Sequence, residues 1–482
     1  MRFEHGAAAF IISILVSSSR ASPANVGQSL DWEPCPSALA PSNSTLRCSY
    51  IPVPLDWDFP EKGNITIGFA KLPARVQNKR TGNIFFQPGG PGHQGSLSIS
   101  DMASGGIKVG TQILDHFDMI GVDLRGTGLS EPIKCDVELY NTRMSFYPSD
   151  PDSFEERVQH NSAVRQSCLD MSGNNLIDYM DSISIAKDYE AVRVALGNEP
   201  MNWLSVSYGT QLGSQYAGLF PDNIRSMVLD GVVSQSQAQV SQFLAGAASL
   251  DATFKRFAQW CDAQNATACP AVQDSRNRTV EEMWTDIMAQ AEKEPLPCRS
   301  TSYLFPNITA DEIRLRASQF LYTPSTLWHG LGEAIYNITT RVAFPDWAHH
   351  DNTSLDIKLK EALAGSQTPL LNGMSAAHGF QLACVGWPGN DRNPPHSISI
   401  PWRGNQPNIL IVDAIYDPAT PLTWGMQLRE EIGKDRVVMV LRDGAGHPSY
   451  EQPDAAGGKT NTAIEQYIFN LTLPEDGAIF NS

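Results

Sequence analysis

The stretch Trp203-Leu204-Ser205-Val206-Ser207-Tyr208-Gly209-Thr210 closes the apolar run Met201 to Val206 and opens a segment of helical spacing. A serine with small residues two positions to either side, set between a strand and a helix, matches the G-x-S-x-G turn that exposes a hydroxyl at a strand end. Small flanks are needed because the serine backbone is strained and its neighbours press close against it. Ser205 replaces the first glycine, which reduces the room at the turn without abolishing it. Ser205 is a poor nucleophile candidate, since its own flanks at the motif spacing are Trp203 and Ser207. Taken alone the pattern is weak, and what lies on either side decides its meaning.

Upstream, Phe85-Phe86-Gln87-Pro88-Gly89-Gly90-Pro91-Gly92 ends a strand in a glycine cluster. Backbone N–H groups in such a loop can approach an oxyanion, and one donor is worth about 2.7–4 kcal/mol of transition-state stabilisation. Pro91 has no N–H, so Gly90 is the expected donor from this loop, with Tyr208 as the second; a purely structural turn is the competing reading of the glycines. Downstream, Asn408 to Val412 runs into Asp413-Ala414-Ile415-Tyr416-Asp417-Pro418-Ala419-Thr420-Pro421. A carboxylate on a proline-stiffened loop past a strand can orient a histidine, which favours Asp417. Asp413, nearer the strand, is the rival and is expected to be structural. The strand Arg436 to Leu441 then leads to Arg442-Asp443-Gly444-Ala445-Gly446-His447-Pro448. Of ten histidines, only His447 combines a strand end, a glycine turn and a position after both serine and acid. The chain order Ser207, Asp417, His447 is that of α/β-hydrolases, not of chymotrypsin-like or subtilisin-like enzymes.

From about residue 50 to 233, β-rich runs alternate with helical stretches, the habit of a parallel sheet with crossover helices. The predicted strands are Ile65 to Leu72, Asn83 to Gln87, Phe117 to Val122, Met201 to Val206 and Ser226 to Leu229. Ile183 to Leu196 carries Ile185, Tyr189, Val192 and Leu196 on one helical face. After Asp230-Gly231-Val232-Val233 the spacing turns helical over Val240 to Gln264, Val280 to Lys293 and Ala310 to Phe320, before the two late strands. The expected organisation is a core in two parts, 22–233 and 401–482, around a mainly helical cap insertion at 234–400.

Composition narrows the function classes. Hydrophobic content of 41% with 18% charged residues is that of a globular protein. A net charge of -17 without any basic run excludes nucleic acid as an expected partner. Residues 1–21 read as a signal peptide: Arg2, an apolar stretch from Ala7 to Val16, and small residues up to Ala21. No later run reaches the roughly 18 apolar residues of a membrane span. A secreted protein is therefore expected. Eight cysteines, Cys35, Cys48, Cys135, Cys168, Cys261, Cys269, Cys298 and Cys384, contain no Cys-x-x-Cys pair, so disulfides rather than zinc or redox chemistry are predicted. Proximity in sequence suggests 35–48, 135–168 and 261–269, leaving 298 for 384. Asn43, Asn64, Asn265, Asn277, Asn307, Asn337, Asn352 and Asn470 open glycosylation sequons. His349-His350-Asp351 lacks further spaced ligands, and Gly126-Thr127-Gly128 lacks a third glycine, so a polar loop and a structural turn are expected there, with no metal and no nucleotide.

Pro88-Gly89-Gly90-Pro91-Gly92, Asp123-Leu124-Arg125-Gly126-Thr127-Gly128-Leu129-Ser130, Ser207-Tyr208-Gly209-Thr210, Phe220-Pro221-Asp222, Leu229-Asp230-Gly231-Val232, Asp417-Pro418-Ala419-Thr420-Pro421 and Gly444-Ala445-Gly446-His447 together resemble the secreted tripeptidyl-aminopeptidase-like branch of the α/β-hydrolases, related to prolyl iminopeptidases. These motifs span about residues 48 to 450; the insertion at 234–400 matches only loosely, and Ser205 is the main departure. The resemblance implies a Ser-Asp-His triad on a capped sheet, no cofactor, and removal of short pieces from peptide N-termini. A lid that admits chain ends calls for an acidic group to meet the ammonium, with Asp311, Glu312 and Glu333 as candidates. One alternative is an esterase or lactonase acting on a small apolar metabolite, since the same triad serves both chemistries. Trp328 and Trp347 would then line its pocket, although core packing is the plainer role for each. Another alternative is a non-catalytic binding protein on the same scaffold. A neutral histidine base, with an ordinary pKa of about 6.5, predicts activity that falls in acid. Oligomeric state is not legible.

Overall fold

A computed structural model describes residues 30–40, 45–145, 150–274, 277–297, 306–341, 368, 370–375, 385–387, 392–402, 409–450, 452 and 458–481. The expected signal peptide at 1–21 lies outside these residues. So do Asn43, Cys298, Trp347, His349-His350-Asp351, Asn352 and Cys384.

Ten strands form one sheet. They are β1 (Glu33–Pro34), β2 (Arg47–Pro54), β3 (Asn64–Leu72), β4 (Gly82–Gln87), β5 (Phe117–Val122), β6 (Met201–Val206), β7 (Ile224–Asp230), β10 (Ile409–Tyr416), β11 (Val437–Ala445) and β12 (Ile479–Asn481), in the order β1-β2-β3-β5-β4-β6-β7-β10-β11-β12. β1, β2 and β3 pair antiparallel, and β3 meets β5 antiparallel; from β5 to β12 every pairing is parallel. The crossover helices are α1 (Gly95–Ser104), α2 (Thr111–His116), α3 (Val137–Tyr140), α4 (Pro151–Ser172), α5 (Ser182–Ala195) and α6 (Tyr208–Leu219). They cover both faces, which is why β4 and β6 read as apolar runs rather than alternating patterns. Phe85, Trp203 and Met227 pack on one side with Tyr189 of α5 and Tyr216 of α6. Ile84, Phe86, Leu204 and Val206 pack on the other with Ile99 of α1 and Ile113 and Leu114 of α2.

The chain leaves the sheet after β7 for α7 (Gln239–Asp262), α8 (Val280–Lys293), a two-residue ribbon β8 (Leu296–Pro297) with β9 (Asn307–Ile308), α9 (Ala310–Phe320) and α10 (Pro324–Arg341). Capping boxes start α8, with Thr279 and Glu282, and α9, with Thr309 and Glu312. Phe254, Phe257, Trp284, Ile287, Ile313, Trp328, Leu331 and Leu371 give this layer a hydrophobic core of its own. After β10 and β11, α11 (Leu422–Ile432) and α12 (Lys459–Asn470) complete the cover of the sheet. Disulfides join Cys35 to Cys48, Cys135 to Cys168 and Cys261 to Cys269.

One predicted boundary moves in a way that matters. β10 runs on to Tyr416 rather than ending at Val412, so Asp413 is a buried strand residue and Asp417 is the first residue beyond the strand. The sheet tolerates Asp413 because its Oδ1 accepts the Val232 N–H at 3.0 Å and Gly425 of α11 leaves space beside its other oxygen.

Candidate active site

Ser207 caps α6 at the end of β6 with φ 57° and ψ -130°. A side-chain-bearing residue held there costs on the order of 1–3 kcal/mol and persists only where its surroundings over-determine it. They do so here. Its N–H donates to the Asp230 carbonyl at 2.9 Å, and its own carbonyl accepts from Thr210 N at 2.8 Å and Thr210 Oγ1 at 2.6 Å. A Cβ at Gly89 would come within 2.7 Å of Ser207 Cβ, and one at Gly209 within 2.7 Å of Gln87, so the glycine loop and the turn are in direct contact. Ser205, in the place of the first glycine, is fully buried and donates its hydroxyl to the Val228 carbonyl of β7 at 3.3 Å. The extra oxygen is thus accommodated between strands. Among the described residues, nothing in the protein accepts from the N–H of Gly90 or of Tyr208. Tyr208 is the first residue of α6, so its N–H stands at the positive end of the helix, where anionic groups are favoured.

His447 Nδ1 lies 2.7 Å from Asp417 Oδ2, and both side chains are almost wholly buried. The other Asp417 oxygen accepts the N–H groups of Ala419 at 2.8 Å and Thr420 at 2.7 Å, so the loop after the carboxylate locks it in place. Thr420 Oγ1 is 3.2 Å from the same imidazole nitrogen. With Nδ1 bonded in this way, Nε2 is left as the acceptor that a general base requires. Asp413, the rival carboxylate, is committed to Val232 instead, and burial pushes its carboxyl well above the ordinary range.

Asp230-Gly231 at the end of β7 joins the two halves of the site. The Asp230 carbonyl holds Ser207 N–H, while its carboxylate accepts Ser449 N at 3.1 Å and Tyr450 N at 2.6 Å, just beyond His447. A Cβ at Gly231 would lie 2.9 Å from His447 Cε1, so the imidazole rests on this glycine. Burial raises the Asp230 carboxyl to about 6, against the pull of those two N–H groups. The serine, the imidazole and both hydrogen-bonding loops therefore gather at the carboxyl ends of β4, β6, β7, β10 and β11, the usual place for a site on an open parallel sheet.

Three contributors were not singled out by the sequence. Asp230 sits inside a recognised motif but no spacing announces its role. Thr420 follows Asp417 by one turn, as an ordinary loop threonine would. Tyr322, between α9 and α10, accepts the His447 N–H at 2.8 Å with its carbonyl, and nothing in the helical pattern marks it. Of the acidic candidates of the helical layer, Asp311 pairs with Arg314 at 3.0 Å and Glu312 with Arg143, while Glu333 is exposed. Trp328 packs against Phe257 and Trp260 in the core of that layer. Gly126-Thr127-Gly128 forms a turn around Asp123, whose carboxylate accepts Ser96 N at 2.9 Å and Leu129 N at 2.7 Å. That turn braces the start of α1, next to the glycine loop.

Residues 82–285 match the family profile described as alpha/beta hydrolase fold, and residues 368–479 that of TAP-like protein. The chain has the α/β-hydrolase fold, and its C-terminal part is similar to TAP-like proteins. Serine protease Hip1 of Mycobacterium tuberculosis is 26% identical over 97% of this chain and 94% of its own length. The tripeptidyl aminopeptidase of Streptomyces lividans is 26% identical over 90% of this chain and 82% of its own. A carboxylesterase B of Mycobacterium tuberculosis is 26% identical over 92% and 88% respectively. The hydrolase is an enzyme of the serine class.

Proposed function

We propose that this hydrolase is a secreted exopeptidase that releases short N-terminal pieces or single residues from peptides through an acyl-enzyme. The observation that carries the reading is the buried 2.7 Å pair of His447 and Asp417 set against the same Asp230-Gly231 turn that holds the strained Ser207. Ser207 Oγ attacks the scissile carbonyl as its proton passes to His447 Nε2. The N–H groups of Gly90 and Tyr208 receive the negative charge that forms on the carbonyl oxygen. The imidazolium returns its proton to the departing amine, the C–N bond breaks, and the acyl group stays on Ser207. Water, deprotonated by the same imidazole, then cleaves the ester, releasing an acid and restoring the serine. Asp417 keeps the ring in the productive tautomer and stabilises its charged form.

The named relatives support peptide cleavage, and the helical layer above the strand ends suits a lid that admits chain ends. Export is supported by the basic and apolar N-terminal sequence and by three disulfides, which persist in oxidising compartments. No helix among the described residues is long and apolar enough to cross a membrane. The esterase reading retains support from the similarity to carboxylesterase B. Chromogenic peptides with free and blocked N-termini, assayed beside simple esters with wild type and Ser207→Ala, separate the two. Turnover that requires a free N-terminus and is lost in Ser207→Ala supports the exopeptidase. Ester turnover alone supports the alternative, and turnover that survives Ser207→Ala overturns both.

A further inference from the structure

The helical layer touches the proposed catalytic base directly at Tyr322. Between α9 and α10 the carbonyl of Tyr322 accepts the main-chain N–H of His447 at 2.8 Å and the Gln452 amide at 3.0 Å. The Tyr322 ring forms a T-shaped pair with the imidazole, centroids 5.5 Å apart and planes at 89°. The approach is close enough that a Cβ at Gly446 would lie 2.7 Å from both the Tyr322 oxygen and Pro324 Cδ. Gly446 also has φ 102°, so two requirements call for glycine there. From the sheet side the same loop is held by Arg442, which donates to the carbonyls of Ala445 and Gly446 at 2.9 Å each, and by the Gly446 N–H bonded to Tyr416 at 3.2 Å. Arg442 and Tyr322 thus hold the Gly446–His447 peptide from its two ends, at the carbonyl and at the N–H, and Tyr322 also flanks the imidazole ring.

We infer that Tyr322 is a positioning residue through which the helical layer holds His447 in its working orientation, so that the layer takes part in catalysis as well as in admitting substrate. The inference rests on His447 acting as the base of Ser207. The imidazole must receive a proton from one oxygen and deliver it to another atom without losing alignment, and a misplacement of about 1 Å can cost about a hundredfold in rate. Asp417 and Thr420 hold the ring at Nδ1 and Gly231 packs against it without a side chain; the Tyr322 ring adds an aromatic wall.

The test uses full-length enzyme and diisopropyl fluorophosphate, a probe with no peptide arm: Ser207 Oγ bonds to phosphorus, fluoride leaves, and His447 takes the proton. Tyr322→Ala should slow this labelling and the kcat for a p-nitrophenyl ester by tenfold or more, with KM within twofold and the melting temperature little changed. Tyr322→Phe, which keeps ring and peptide, should restore most of the rate. Unchanged labelling in Tyr322→Ala overturns the inference, as does a loss confined to KM, which would make Tyr322 a wall for substrate instead. So does an equal loss in Tyr322→Phe. If Tyr322→Ala does not fold, Gln452→Leu loosens the same carbonyl from the core side, and a labelling rate unchanged there counts equally against the inference. Labelling that persists in Ser207→Ala would instead remove the proposed triad, a separate failure.

Discussion

At the scale of single residues the site separates two aspartates four positions apart. Asp417 has both oxygens committed, one to His447 and one to the loop N–H groups of Ala419 and Thr420. Asp413 is raised well above the ordinary carboxylate range by burial, with the neighbouring Asp417 and Asp230 adding to the shift. Its surroundings disfavour the charged form, and an amide has much the same shape. Asp417→Asn should therefore lower kcat by about 10³–10⁴-fold, because an amide next to Nδ1 favours the wrong tautomer. Asp413→Asn should leave kcat within threefold of wild type. Steady-state kinetics on one substrate checks both, and a larger loss in Asp413→Asn than in Asp417→Asn reverses the assignment. This distinction was half legible beforehand. The preference for Asp417 rested on its proline-stiffened loop beyond a strand expected to end at Val412, whereas in the structure Asp413 lies within β10 and is bonded to Val232 while Asp417 meets His447.

At the scale of elements, one buried ion pair holds the first half of the sheet to its helices. Arg125, beyond β5, makes a two-pronged contact of 2.7 Å on each arm with Asp188 of α5 and also donates to the carbonyls of Leu55 and Tyr179 at 2.9 Å. Removing the carboxylate leaves a buried guanidinium uncompensated, which costs about 3–5 kcal/mol. Asp188→Ala should lose about that much in urea unfolding. A loss below 1 kcal/mol would mean that the carbonyl acceptors alone suffice. The same scale shows where pattern reading stops. The strands β4, β5 and β6 were legible because burial on both faces makes them continuous apolar runs. β2 was not, because Pro52 and Pro54 interrupt Arg47–Pro54 and its partner β3 lies antiparallel at the margin of the sheet. α4 escaped notice because its buried side chains are Arg157, Asn161, Val164 and Cys168, with no apolar stripe to give helical periodicity. The three active-site strand ends were visible, while the contact from Tyr322 depends on how α9 and α10 meet the sheet, which no local spacing encodes.

At the scale of the whole molecule, several carboxyls are buried where their charge is disfavoured. Burial raises Asp230 and Asp311 to about 6, raises Asp413 well above the ordinary carboxylate range, and raises Asp123 and Glu465 above their ordinary values. An acid whose folded pKa exceeds its unfolded value keeps its proton in the folded state after the unfolded chain has lost it. Folding then takes up protons, and stability falls as pH rises from about 4 to about 6. Asp56, lowered by Lys62 and Arg392, works in the opposite sense, but it is one group against several. The melting temperature should thus be higher at pH 5 than at pH 7, and Asp230→Asn should reduce the difference. A rise in melting temperature from pH 5 to pH 7 would contradict this balance. Stability and activity would then favour different conditions, since the histidine base works best when neutral.

The interruption of the sheet by the helical layer also bears on how the enzyme is made. Synthesis runs from the N-terminus, and domains tend to fold in that order. Ser207 and the Gly90 loop are therefore threaded out of the ribosome well ahead of Asp417 and His447, which arrive only with β10 and β11. Under the proposed triad, a half-made chain would carry the serine without its base, and hydrolytic activity would wait for the final strands to dock.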